Sequence, residues 1–263
     1  MQVHGVFFCD VDGTLLPYGD QAIDERFFAT VLEARQQGFL TVISSGRIYC
    51  SLYPLFIPVR DQVIFSASNG CLVLEHEEAI LPPRTLRTED IAPLIADLHS
   101  SGADVLISTV SGLFLLHERS EHELTLRYSN RAGIRFLHSP KELKEPVLQM
   151  TGLCRAPLEE VLGEIRKRWK SSYHINASGR QMFDIAPTHK GESLVAISEH
   201  LGVGREQTWA FGDNENDFLM LKAAGTAYLM EDAHPSLVRP SFLRTADVST
   251  TIRSIVTEFR AKK

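Results

Sequence analysis

Two carboxylates one residue apart, Asp10 and Asp12, follow the apolar run at residues 6–9. A strand sends alternate side chains to the same side, so both are expected to face one way unless the chain leaves the strand before Asp12. Paired carboxylates raise each other's proton affinity, a cost that a divalent cation removes, and hard carboxylate oxygens suit Mg²⁺. Read alone, Asp10-Val11-Asp12-Gly13-Thr14 also fits an acidic turn with Gly13 at its bend. Ile43-Ser44-Ser45-Gly46-Arg47 ends a second apolar run, 39–43. A hydroxyl and exposed backbone N–H groups there can hold phosphate oxygens, while the plainer reading is a strand-to-helix turn with a serine cap.

Lys190 enters a helix after Pro187-Thr188-His189. An ammonium at a helix N-terminus attracts anions, although a single lysine is usually just solvated. The fourth cluster, Phe211-Gly212-Asp213-Asn214-Glu215-Asn216-Asp217, follows the run 208–211. Asp213 and Asp217 lie four apart, so one helical turn can bring both to a metal; an acidic helix start is the alternative. The plain readings leave unexplained why such clusters fall at the C-terminal ends of expected strands, the edge where open α/β sheets bind ligands.

The elements that must carry these clusters alternate between strand and helix over the first ~80 residues. Asp24 can cap a helix with Phe27, Phe28, Val31 and Leu32 on one face, closed by Gly38. Residues 47–55 can be helical, and 63–65 start a third strand. Continuously apolar strands separated by helices predict a parallel sheet covered on both faces. After Pro82-Pro83 the pattern changes. A helix capped by Thr88 precedes an expected antiparallel hairpin, 105–109 and 113–117, turning at Ser111-Gly112. A strand (147–151), a helix (Leu158–Trp169) and two strands (173–176, 182–185) complete an α+β insertion. The parallel pattern resumes with a helix over 191–201, strands at 208–211 and 227–230, and a C-terminal helix carrying Ile252, Ile255, Val256 and Phe259. This divides the chain into 1–82 plus 187–263, interrupted by 83–186.

At 263 residues the chain is long enough for one large domain or two modest ones, at ~150 residues per domain. Its 44% hydrophobic and 23% charged residues are ordinary globular composition. No apolar run approaches the ~18 residues of a membrane span, and Met1-Gln2-Val3-His4 does not read as a secretory start, so a cytoplasmic protein with no membrane partner is expected. A net charge of −6 gives no basic field for nucleic acid. The insertion carries 14 Lys and Arg against 13 Asp and Glu, and the flanking parts 13 against 20. The acidic excess therefore lies with the carboxylate clusters, as a cation site allows. Cys9, Cys50, Cys71 and Cys154 form no C-x-x-C pair and suit reduced thiols.

Other patterns are read without function. His117-Glu118-Arg119-Ser120-Glu121-His122 lacks the second histidine of a zinc-binding H-E-x-x-H and fits a solvated turn or helix start. Asn176-Ala177-Ser178 matches a glycosylation acceptor that needs a secretory route. Arg166, Lys167, Arg168 and Lys170 favour a helix dipole, and His189 fits a surface position.

Together the four clusters, in this order, resemble the haloacid dehalogenase-like (HAD) hydrolase superfamily, with its D-x-D-G-T-L, S/T-G-R, K-G and G-D-x-x-N-D motifs. The insertion between the second and third motifs resembles the larger cap of the Cof-type sugar-phosphatase branch. Ser68-Asn69-Gly70, Asp184-Ile185-Ala186-Pro187 and Met220-Leu221 fit that branch too. Ser45 stands where the branch usually has threonine, and Glu231-Asp232-Ala233 where Asn-Ala is typical. The resemblance implies a Rossmann-like core with an inserted α+β cap. It also implies a Mg²⁺-dependent phosphatase of small phosphorylated metabolites, sugar phosphates first among them.

In the implied roles, Asp10 is the nucleophile and Asp12 the general acid and then base. Mg²⁺ is held by Asp10, the backbone carbonyl of Asp12 and Asp213, with Asp217 direct or through water. Lys190 and the cation neutralise the phosphoryl oxygens; Ser45, the Gly46 N–H and Asn216 hold the phosphoryl group; Arg47 reaches the phosphate or leaving group. Ser178 and Arg180 are candidates for leaving-group contacts. The rival readings are a flavin mononucleotide or pyridoxal phosphate phosphatase, a phosphomutase, and a catalytically silent Mg²⁺- and phosphate-binding regulator. The sequence does not set the oligomeric state.

Overall fold

A computed structural model describes residues 3–19, 21–116, 133–179 and 181–261. The chain runs β1 (Gly5–Cys9), α1 (Glu25–Gln36), β2 (Phe39–Ser44), α2 (Tyr49–Leu52), β3 (Val63–Ala67), β4 (Leu72–Glu75) and β5 (Glu78–Ala79). It continues through α3 (Thr88–Ser100), β6 (Ala103–Thr109), β7 (Leu113–Leu116), β8 (Ile134–Leu137), β9 (Val147–Cys154), α4 (Leu158–Trp169), β10 (His174–Gly179) and β11 (Met182–Ala186). The last stretch holds α5 (Lys190–Leu201), β12 (Thr208–Gly212), α6 (Phe218–Ala223), β13 (Thr226–Met230), β14 (Leu243–Thr245) and α7 (Val248–Ala261).

The first sheet has the order β14-β13-β12-β1-β2-β3-β4-β5. Strands β14 through β3 are parallel, as the continuous apolar runs predict, and both faces are covered. Phe7, Cys9, Phe39, Ile43, Phe65 and Phe211 pack with residues of α1 and α7. Their strand neighbours Val6, Phe8, Leu40, Val42, Ile64 and Ala210 pack with α5 and α6 on the other face. This two-residue alternation places an apolar layer on each side, each buried side chain contributing ~1.5–3 kcal/mol.

Several expectations need correction. The β4 and β5 strands add an antiparallel edge to the parallel sheet, reached by the tight Ser68-Asn69-Gly70 turn. Of the helix expected over 47–55, only Tyr49–Leu52 is α-helical before a 3₁₀ turn. Pro54 lacks the N–H to continue it. On α1, Asp24 caps as expected, but Leu32 is exposed, because the buried face runs through Phe27, Thr30, Val31 and Ala34. Thr88 is the first residue of α3, and Arg87 occupies the cap position. The strand β8 pairs in parallel with β7, which no sequence pattern indicated.

The second sheet has the order β10-β11-β9-β6-β7-β8, and β6 and β7 form the expected antiparallel hairpin. Alternation again decides which face does what. Val105, Ile107, Met150, Phe183 and Ile185 pack beneath α3 and α4. Their neighbours Leu106, Ser108, Gln149, Thr151, Met182 and Asp184 point the other way, into the cavity between the sheets. The architecture is therefore an α/β core with an α+β cap whose open sheet face roofs the C-terminal edge of the core sheet.

Candidate active site

Parallel strands β1, β2 and β12 end side by side, and the loops that leave them build the site. Asp10 follows β1 and is buried; Lys190, at the first turn of α5, places Nζ 2.5 Å from Asp10 Oδ1 and 2.6 Å from Asp217 Oδ1. The Lys190 side chain is 0% exposed. Asp217 uses its other oxygen, Oδ2, to accept from the N–H groups of Asp213 and Asn214, both at 3.1 Å, which fixes the loop after β12. Oxygens of Asp10, Asp213 and Asp217 all lie within 4.8 Å of one another.

The loop after β1 holds both oxygens of Asp213. The Thr14 hydroxyl donates to Oδ1 at 3.1 Å, and the Tyr18 hydroxyl to Oδ2 at 3.0 Å. Gly13 is required there: its φ is +89°, and a Cβ would lie 2.2 Å from Asp213 Oδ2.

Burial in a low-polarity environment sets the electrostatics. It raises the proton affinity of Asp10 well above the usual carboxylate range, with the Asp217 charge adding to it. Burial and Asp217 push Asp213 up to about 6. At Lys190 burial opposes the charge, but Asp10 and Asp217 outweigh it and hold the proton more firmly than on a free lysine. Three buried carboxylates against one ammonium leave a net negative centre of hard oxygen donors. That donor set fits Mg²⁺.

Asp12 stands apart from the three. Its carboxylate accepts from Arg47 Nε at 2.7 Å and Nη2 at 2.5 Å, so the guanidinium fork expected to reach the phosphate or leaving group is engaged with Asp12. Ser45 is buried at the end of β2, and its hydroxyl accepts from the Arg47 N–H at 3.1 Å. Asp10, Asp12, Ser45, Gly46, Arg47 and Asn216 all line one cavity of about 340 Å³, with Lys190, Asp213 and Asp217 behind Asp10.

From the cap, Gln149, Thr151 and Asp184 bring polar groups, while Leu106, Leu113 and Met182 bring apolar ones. Ser178 lines the cavity; Arg180 and the segment with His117 and His122 fall outside the described residues. Tyr18, Gln149 and Thr151 had no assigned role from sequence. Thr14, Asn69 and Asp184 sat in recognised strings, but without a role.

A second cluster, His174, His189 and Glu192, has metal-like distances and fails on tautomer. The Nδ1 of His189 accepts from the N–H groups of Gly191 and Glu192, capping α5. Burial disfavours the charged ring, and the neutral ring with Nδ1 accepting carries its proton on Nε2, the atom facing Glu192. His189 is a helix cap and not a plain surface histidine.

Among the described residues, no helix is long and apolar enough to cross a membrane. A family profile described as haloacid dehalogenase-like hydrolase matches residues 7–241. The chain is 26% identical over 241 residues to an HMP-PP phosphatase of Cronobacter sakazakii, covering 87% of this chain and 85% of the relative. It is 25% identical over 236 residues to a 5-amino-6-(5-phospho-D-ribitylamino)uracil phosphatase of Bacillus subtilis, covering 84% of each. A solved HAD subclass IIB sugar phosphatase shares the fold, with a TM-score of 0.84 at 19% identity over 95% of this chain and 98% of that one. The profile match places this chain in the haloacid dehalogenase-like hydrolase family, in its Cof-type branch.

Proposed function

We propose that this protein is a Mg²⁺-dependent phosphatase that hydrolyses small phosphorylated metabolites, sugar phosphates among them, through an aspartyl-phosphate on Asp10. The observation that carries the reading is the wholly buried Lys190 bridging Asp10 and Asp217 beneath a cavity of about 340 Å³. A lysine kept charged there serves an incoming phosphoryl group as well as the carboxylates. The two named phosphatases, similar at 26% and 25% identity over 87% and 84% of this chain, support the same class.

In the first step a carboxylate oxygen of Asp10 bonds to phosphorus as the ester P–O bond breaks, and Asp12 delivers a proton to the departing oxygen. In the second, water attacks phosphorus, gives its proton to Asp12, and the Asp10 carboxylate leaves. Asp10, Asp213 and the Asp12 carbonyl, with Asp217 direct or through water, would hold Mg²⁺, which would supply positive charge for the phosphoryl oxygens. Lys190 adds to that charge, while Ser45, the Gly46 N–H and Asn216 orient the group. Arg47 aims the Asp12 carboxylate.

The domain division is residues 1–82 with 187–263 as the catalytic core and 83–186 as the cap, which excludes bulk water when seated. Cys9, Cys50, Cys71 and Cys154 are free thiols, in keeping with a cytoplasmic setting. A second reading, a phosphatase of ring-bearing cofactors such as flavin mononucleotide or pyridoxal phosphate, is favoured by the apolar Leu106, Leu113 and Met182 on the cap side. Phosphate release from a panel of sugar and cofactor phosphates, with Mg²⁺ and with EDTA, tests both. Metal-dependent release from one class is expected; release unaffected by EDTA, or none from any ester, contradicts the proposal.

A further inference from the structure

The turn between β3 and β4 carries three successive residues of positive φ: Ser68 at +50°, Asn69 at +57° and Gly70 at +94°. For serine this left-handed conformation costs about 1 kcal/mol or more, and for asparagine less, and it persists where surrounding contacts impose it. Here those contacts join the core to the cap. The N–H of Ser68 donates to the Arg47 carbonyl at 2.8 Å and the N–H of Asn69 to the Ser45 carbonyl at 2.9 Å, fastening the turn to the loop after β2. The Asn69 side chain then faces the cap, its Nδ2 donating to Gln149 Oε1 at 2.9 Å and Asp184 Oδ2 at 3.0 Å. Its Oδ1 accepts from Asn216 Nδ2 at 3.5 Å. Gln149 closes the circuit by donating Nε2 to the Gly46 carbonyl at 3.3 Å.

Asn69, Gln149 and Asp184 are all buried, so none of these groups has bulk water as a substitute partner. Asp184 is a carboxylate taken out of water, with Thr151 Oγ1 at 2.7 Å and Asn69 Nδ2 as its donors. An amide can supply two donors to the cap and one acceptor to Asn216 at once; aspartate has no donor to offer and alanine offers neither.

We propose that Asn69 is a positioning residue that couples the seating of the cap to the geometry of the Ser45-Gly46-Arg47 loop and Asn216. Docking of Gln149 and Asp184 thereby completes the phosphoryl site without either having to touch the phosphate. The proposal rests on the phosphatase reading above.

The test exchanges the partners. Asn69→Asp sets two carboxylates against each other, and Asn69→Asp with Asp184→Asn restores an amide–carboxylate pair across the same contact. Asn69→Asp is expected to lower kcat about 10- to 100-fold with a smaller change in KM, as fits a broken buried hydrogen bond to a charge. It should also remove most of the thermal shift given by inorganic phosphate with Mg²⁺. The double exchange should recover roughly tenfold of the lost turnover and the phosphate-induced shift, which a merely structural defect would not do. Asn69→Gly, which relieves the backbone strain while deleting the amide, should fold and lose kcat likewise; it decides the matter where Asn69→Asp does not fold. An exchange no better than Asn69→Asp in both readouts, or Asn69→Gly within about threefold of wild-type kcat, overturns the coupling. Wild-type protein that releases no phosphate overturns the phosphatase reading instead, and the phosphate-induced shift then still decides the coupling.

Discussion

Lys190 Nζ lies 2.5 Å from Asp10 Oδ1, a contact between residues 180 apart in sequence that closes the loop from β1 to α5 inside the protein. The ammonium is the one positive group in direct contact with the Asp10–Asp217 pair among the described residues. Replacing it by Lys190→Met leaves buried carboxylates uncompensated, which costs about 3–5 kcal/mol. The variant is expected to lose detectable turnover and to melt roughly 10 °C lower, at ~2–4 °C per kcal/mol for a chain of this size. Part of that loss should return on adding Mg²⁺. Calorimetric melts with and without the cation check this, and an unchanged melting temperature in both would contradict the ion-pair account.

Asp213 supplies a pH-dependent prediction. Burial and the Asp217 charge raise it from its unfolded value near 3.8 to about 6. Between those values the native protein holds more protons than the unfolded chain, so this group's contribution is full at low pH and is lost as pH rises through about 6. Without metal, the wild type should therefore lose stability between pH 4 and 7 relative to Asp213→Asn, which has no charge to strain the site. At pH 7 the variant should melt a few degrees higher than the metal-free wild type and show no Mg²⁺-induced shift. Parallel melting curves for the two proteins across that range would refute this.

Arg47 grips Asp12 through two nitrogens, and both side chains keep some exposure, 26% and 41%. Solvent screening limits the pair to about 1 kcal/mol of stability or less, so Arg47→Ala should fold normally. Turnover is a different matter, because the fork aims the carboxylate that moves the proton. A drop in kcat of roughly 10- to 100-fold is expected for Arg47→Ala. Arg47→Lys should recover little of it, since an ammonium cannot make the paired contact. Steady-state kinetics decide it; full activity in the lysine variant would show that charge alone suffices.

Much of this arrangement was legible in the chain. The acidic and glycine-bearing clusters at strand ends are local, and apolar runs fix where the strands stop, so Asp10, Ser45 and Asp213 could be assigned to one edge, while Lys190 joined them only through the family resemblance. What stayed hidden depends on long-range partners. Asp184 is an ordinary strand residue until β11 turns it toward Asn69, and Tyr18 reaches Asp213 across 195 residues. The antiparallel edge begins with a left-handed turn between β3 and β4 at Ser68 and Asn69, a conformation that serine rarely adopts without tertiary constraint. Arg47's engagement with Asp12 likewise depends on two loops meeting, which spacing alone does not encode.

The covalent role of Asp10 is the centre of the account, and mass spectrometry of the acid-quenched enzyme during turnover tests it most directly. The predicted result is one phosphoryl group on the peptide that contains Asp10. With an aryl phosphate, whose leaving group departs without a proton, it should accumulate further in Asp12→Asn, where water attack is slowed. It should be absent from Asp10→Asn, which should fold and not turn over. Turnover with the phosphoryl group on another residue, or Asp10→Asn retaining wild-type rates, would contradict it.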